Sequence, residues 1–321
     1  MQNLRYVELR HRGLIYVSGE DAKTFLQSLI SNDMDQVDHD TGIYASFLTP
    51  QGKYLHDLFI CEGGPGIAFQ EHSQGSGSGQ HYLIDADRAA DLAKRLVMYK
   101  LRAKIEFTVL TDWRVLALFG ADLYQAPGMR AVAGDCREIG PAGAGGRRLA
   151  DPRCLHVGLR CYLPATCVDE TVKALGAESG ALADFDQSRI CQGLPDGCRD
   201  IDPEKSTLLE YGFDRIGGIS WTKGCYVGQE VTARMKYRNL GKKQLYVVDL
   251  EGTAPAKGTP ITLAGVQVGD IRTSVPGVGL AMLRLDAIEQ YQLKGGDFAA
   301  GATQVIPRVD AAGDMSLSSA G

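Results

Sequence analysis

The chain has no Cys-x-x-Cys pair although it carries eight cysteines in 321 residues, so the strong zinc and dithiol signatures are missing. A disulfide framework is unnecessary at this length, and a reducing compartment fits better. No uninterrupted apolar run approaches the roughly 18 residues that a membrane helix needs. The amino terminus, Met1-Gln2-Asn3-Leu4-Arg5-Tyr6-Val7-Glu8, has no apolar h-region. No secretory signal is read there, and a cytoplasmic protein is the expectation. An excess of basic charge is also absent. The net charge of −5 argues against a general nucleic-acid binder while leaving room for a local basic patch. The glycine–serine run at 74–80 is not followed by Gly-Lys-Ser/Thr, which argues against a phosphate cradle and leaves a mobile hairpin tip.

What is present has ordinary globular composition, 44% apolar and 23% charged, and the length predicts two or three packed units. Leu14-Ile15-Tyr16-Val17 reads as a strand, Ser18 as an N-cap, and Ala22, Phe25, Leu26 and Leu29 as one face of a helix ending near Asn32. The runs 44–48 and 54–60 are strands joined by Pro50-Gln51-Gly52-Lys53, a hairpin. A strand at 82–84 and an amphipathic helix over 87–101 complete a first α+β lobe, residues 1–103, of the split βαβ type. A second lobe, 104–243, has strands at 105–109, 115–119 and 155–159 and a helix over 168–175. Short strands with glycine turns over 244–310 predict a small β-barrel, and the Ala/Gly/Ser-rich tail 311–321 predicts disorder.

Chemistry concentrates in Lys223-Gly224-Cys225-Tyr226-Val227-Gly228-Gln229-Glu230-Val231. Cys225 stands among glycines, beside Lys223 and just before a helix start, a setting that favours the thiolate, the form that attacks and ligates metals. A buried, inert cysteine is the alternative. Cys154, Cys161 and Cys167 match no standard ligand spacing, so no metal site is assigned. Arg234, Lys236, Arg238, Lys242 and Lys243 form a basic strip with one interleaved aromatic, Tyr237; a solvated face, an anionic ligand and RNA stay open, RNA least favoured.

Lys-Gly-Cys-Tyr-Val-Gly-Gln-Glu at 223–230 resembles the signature of the YgfZ family of folate-binding proteins, relatives of the aminomethyltransferase (T-protein) of the glycine cleavage system. Val17-Ser18-Gly19-Glu20-Asp21-Ala22, Ser31-Asn32-Asp33-Met34, Leu48-Thr49-Pro50-Gln51-Gly52-Lys53, Gly217-Gly218-Ile219-Ser220-Trp221 and Gly269-Asp270-Ile271-Arg272 extend the likeness in the same order. The resemblance implies a three-lobed α+β fold with a C-terminal barrel. It also implies tetrahydrofolate as ligand and a role in iron–sulfur cluster assembly or repair, with indirect effects on tRNA modification and transient contact with iron–sulfur proteins or assembly factors.

Residue by residue, the resemblance implies Cys225 as the functional thiolate and Asp57 as the position of the T-protein's catalytic aspartate. The family's second aspartate is replaced by His56. Glu210 matches the glutamate that hydrogen-bonds a pterin, and Arg234 suits the anionic glutamate tail. Phe185 and Arg12 fall near folate-contacting positions, and Lys223 belongs to the same candidate set. A folate-dependent aminomethyltransferase is the alternative function, and a pure scaffold the third.

Overall fold

A computed structural model describes residues 4–63, 80–126, 128–238 and 240–309. The expected glycine–serine loop and the tail fall outside these residues, apart from Gln80. Packing groups the chain into two compact units. The first comprises Met1–Pro50, Leu55–Leu182 and Ile216–Val227; the second comprises Gln51–Tyr54, Ala183–Arg215 and Gly228–Gly321.

The first unit begins with β1 (Arg5–Glu8), β2 (Arg12–Gly19), α1 (Ala22–Leu29), β3 (Ile43–Leu48), β4 (Tyr54–Glu62), β5 (Gln80–Asp87), α2 (Ala89–Lys100) and β6 (Glu106–Leu110). β7 (Trp113–Phe119), β8 (Cys136–Glu138), β9 (Arg147–Ala150), β10 (Leu159–Pro164), α3 (Val168–Ala174) and β11 (Glu178–Ser179) follow. One sheet has the order β3-β4-β5-β2-β6 and the other β11-β1-β7-β10-β9-β8. β3 is buried at every position and β4 at nearly every one, so both faces of these strands are covered, including the polar pair His56-Asp57 on β4. α1 lays Ala22, Phe25, Leu26 and Leu29, and α2 lays Leu92 and Leu96, on Ile15, Val17, Ile60 and Ile84. Burying a leucine or phenylalanine side chain in this way contributes roughly 1.5–3 kcal/mol. A second cluster of Leu116, Leu118, Leu159 and Leu163 serves the other sheet.

Two local expectations are corrected. Ser18 does not cap α1, because β2 runs on through Gly19 and pairs Ser18 with His81; the cap position is Asp21. The run 155–159 is a 3-10 turn, Leu155–Val157, ahead of β10; Gly158 (φ +106°) separates the two.

The second unit holds α4 (Leu182–Cys191), α5 (Gln229–Tyr237), β12 (Lys243–Glu251), β13 (Pro260–Leu263), β14 (Val266–Val275), β15 (Val278–Arg284), α6 (Leu285–Lys294), β16 (Phe298–Ala300) and β17 (Thr303–Pro307). Its six strands close in the order β12-β15-β14-β13-β16-β17. Register shifts at Ile261/Thr262 and between Ile271 and Ser274 supply the bends that closure needs. A Cβ at Gly269 would stand 2.2 Å from the Met282 carbonyl, so only glycine lets β14 approach β15 there. The fold is α+β with a closed C-terminal barrel, as expected.

Candidate functional site: an exposed thiol on an anchored loop

The segment 216–227 is stapled to the turn after α1. Ser31 Oγ donates to the Gly218 carbonyl (2.6 Å), Asn32 Nδ2 to that of Gly217 (2.9 Å), and Ser220 N to that of Ser31 (3.0 Å). Lys223 carries the largest share. Its Nζ donates to the carbonyls of Gln27 (2.7 Å), Ile30 (2.9 Å) and Asn32 (2.7 Å), the group left unpaired where α1 ends. It also stands 5.2 Å from the Tyr226 ring centre. Burial pushes the ammonium down to about 8, against the pull of Asp33 and Asp35. Lys223 thus spends its three donors on backbone, as an anchor for the loop.

On this anchored loop the cysteine faces outward. Cys225 is the exposed member of the eight free thiols; Cys61, Cys136 and Cys161 are buried, and Cys154, Cys167, Cys191 and Cys198 are half-buried. The inert, buried alternative does not describe it. A Cβ added at Gly224 meets nothing within 4 Å, so the backbone beside the thiol is open to an approaching molecule. Gly228, at φ +82°, ends the loop and opens α5.

Asp57 and Arg12 lie in a different environment, a closed ionic cluster built around Phe59. The Arg12 guanidinium pairs with Asp85 and, at 3.0 Å, with Asp57; both carboxylates and the arginine head are fully buried. Arg160 donates to the other Asp85 oxygen (2.9 Å), and Tyr44 donates to the second Asp57 oxygen (3.2 Å). Arg153 grips Asp151 through two bonds, Nε at 3.0 Å and Nη2 at 2.8 Å. Arg12, Arg153 and Arg160 lie 5.2, 4.8 and 3.6 Å from the Phe59 centroid. Burial raises Asp151, but the Arg153 guanidinium overrides it and holds the carboxyl below the usual range. Three cations thus stand against three anions out of water, with Asp57 buried against Arg12. Beside it, His56 is fully buried between Asp87 (3.3 Å) and Asp91 (3.1 Å).

The folate candidates of the second unit separate by exposure. Phe185 is 2% exposed on α4 and packs inward, whereas Arg234 is exposed on α5. Glu210 accepts from the Thr207 amide (2.9 Å), stands 3.9 Å from Lys243, and lines a cavity of about 660 Å³ with Lys242, Lys243, Arg284 and Leu285. Lys236 of the basic strip is paired with Asp214 (2.8 Å). Sequence reading did not find Asp85, Arg160, Asp151 and Arg153. The one available signal was a carboxylate inside an apolar strand pattern, Tyr82-Leu83-Ile84-Asp85-Ala86, where solvent cannot satisfy it. Among the described residues no three His, Cys, Asp or Glu side chains converge as a metal site.

These units define an aminomethyltransferase-type fold. The glycine cleavage system aminomethyltransferase T from Bartonella henselae matches with a TM-score of 0.73 over 95% of this chain and 85% of that one, at 16% identity, a likeness of fold. Residues 242–311 match the family described as CAF17, C-terminal β-barrel domain. The chain belongs to the IBA57 family. The human "iron-sulfur cluster assembly factor IBA57, mitochondrial" is 31% identical over 293 residues, which are 87% of this chain and 77% of the relative. The Neurospora crassa homologue is 33% identical over 256 residues, 77% of this chain and 54% of that one.

Two expectations change. The signature resembled YgfZ, whereas the relatives matched along the chain bear the IBA57 name, which speaks of neither folate nor tRNA. The cytoplasmic placement is overturned, since the human, mouse and fungal relatives are mitochondrial by name. The missing h-region argued only against a secretory leader; mitochondrial targeting segments are amphipathic and arginine-rich, and that criterion does not see them.

Proposed function

We propose that this chain is an iron–sulfur cluster assembly factor in which Cys225 supplies a thiolate ligand to a cluster in transit. The observation that carries the reading is the pairing of an exposed thiol with a loop anchored by the buried Lys223. Clusters commonly take four protein ligands, and no such set converges among the described residues. Cys225 is therefore one ligand of a shared cargo, the others coming from a partner in the assembly machinery. A rigid, outward thiol suits handover, because a ligand held in place loses little entropy when a partner docks.

Tetrahydrofolate is the proposed small-molecule ligand, a reading supported by the aminomethyltransferase-type fold. Glu210 supplies a carboxylate for an amino-pyrimidine edge, and Lys242 and Lys243 supply cations for an anionic tail, all lining one cavity of a size usual for small-molecule sites. Titrating tetrahydrofolate against the fluorescence of Trp113 and Trp221 tests this part. A saturable change that Glu210→Gln weakens supports it, and a flat response in the wild type rejects it. For the thiolate, anaerobic incubation with iron, sulfide and a small thiol is followed by visible absorbance. A cluster band in the wild type that Cys225→Ala abolishes is the expected result; equal bands in both reject the ligand role.

A further inference from the structure

The carboxyl-terminal half of α2 carries apolar side chains that the core does not use. Leu92 and Leu96 turn inward, whereas Val97, Met98 and Leu101 are 54%, 67% and 89% exposed. Leu101 is the most exposed large apolar side chain among the described residues. With Lys94, these three follow the three- and four-residue spacing of one helix stripe. Leu101 also ends the helix at φ +42°, a backbone region where glycine is the ordinary residue. A leucine held in a strained conformation while burying almost nothing adds nothing to the packing of this unit.

Basic charge surrounds the stripe. Residues 94–104 carry Lys94, Arg95, Lys100, Arg102 and Lys104 and no acid. Arg95 is paired with Asp91 (2.9 Å) and Lys104 with Glu20 (2.8 Å). Lys94, Lys100 and Arg102 have no carboxylate partner among the described residues. A positive, apolar surface thus stands on a chain whose net charge is −5.

We propose that this end of α2 is a docking surface for an anionic phospholipid bilayer. At 12 residues the helix is too short to cross one, so it engages the surface only. Met98 and Leu101 enter the boundary between headgroups and acyl chains, with Val97 beside them. Lys94, Lys100 and Arg102 meet the lipid phosphates, their long stems lying along the apolar side chains. A protein partner fits this surface less well. Such interfaces bury about 800 Å² on each side and favour tyrosine, tryptophan and arginine, with lysine depleted. Here two of the three unpaired cations are lysines, and the nearest ring, Tyr99, packs against the core.

The test is co-sedimentation of the full chain with vesicles of phosphatidylcholine and phosphatidylglycerol, against vesicles of phosphatidylcholine alone. The wild type is expected to sediment with the anionic vesicles and to be released by added salt. Met98→Glu with Leu101→Glu weakens binding about tenfold or more, and Lys100→Glu with Arg102→Glu does the same. Leu101→Gly, which suits the left-handed backbone, keeps the melting temperature and still weakens binding, so lost binding is not lost folding. Arg238→Glu, in the basic stretch of α5, leaves binding unchanged. Equal sedimentation with both vesicle types, or a Met98→Glu/Leu101→Glu chain bound like the wild type, overturns the proposal. A wild type left in the supernatant with both vesicles also overturns it, and an acidic protein then takes the place of the bilayer.

Discussion

Around Phe59 three guanidiniums are buried against three carboxylates, whereas in the 216–227 loop one ammonium is buried against three carbonyls. Both arrangements take cations out of water, with opposite results. In the first, each charge stands against another, and Asp57 is fully buried beside Arg12. In the second, the cation carries no partner charge in its hydrogen bonds. It ties a loop to the end of α1, and the loop turns its thiol outward. A buried ion pair ends in itself, while a buried ammonium on backbone oxygens serves as a foundation for something else.

Breaking the closed cluster has the largest expected effect. Asp85→Asn or Arg12→Met leaves charges buried without partners and lowers stability by about 3–5 kcal/mol, read as a shifted urea midpoint. Acid reaches the same region. The folded Asp151 pKa lies below its unfolded value near ~4, so its stabilisation is present above that pH. It is lost as pH falls through the folded value, and Asp151→Asn flattens this acid limb of the stability curve. On the loop side, Lys223→Met orphans three carbonyls and costs about 1–3 kcal/mol. Faster amide exchange confined to 216–227 and the turn after α1 identifies it as an anchor. The smallest effect belongs to Gly224→Ala, which meets no atom and carries no positive φ, and changes stability by less than about 0.5 kcal/mol.

Much of the fold was legible because its signals are local. The periodic faces of α1 and α2, the hairpin strands and the short barrel strands each sit within a dozen residues. Cys225 was legible as well, because its glycine neighbours are poor core material. The cluster was not, since Arg12 and Asp85 are 73 residues apart and Arg160 and Asp85 75. Lys223 shows the limit most plainly. Its neighbour in sequence is the thiol, but its bonds go to carbonyls more than 190 residues upstream, so adjacency suggested a charge for Cys225 where the structure built an anchor. The interleaving of two units, with Gln51–Tyr54 packed into the second, left no compositional mark either.

The most direct measurement is iron–sulfur enzyme activity in cells lacking their own copy of this protein, rescued with either the wild type or Cys225→Ser. Because Cys225 is exposed, the serine variant keeps the wild-type melting temperature, and restored activity is expected from the wild type alone. A folded Cys225→Ser chain that restores activity as fully as the wild type contradicts the thiolate role.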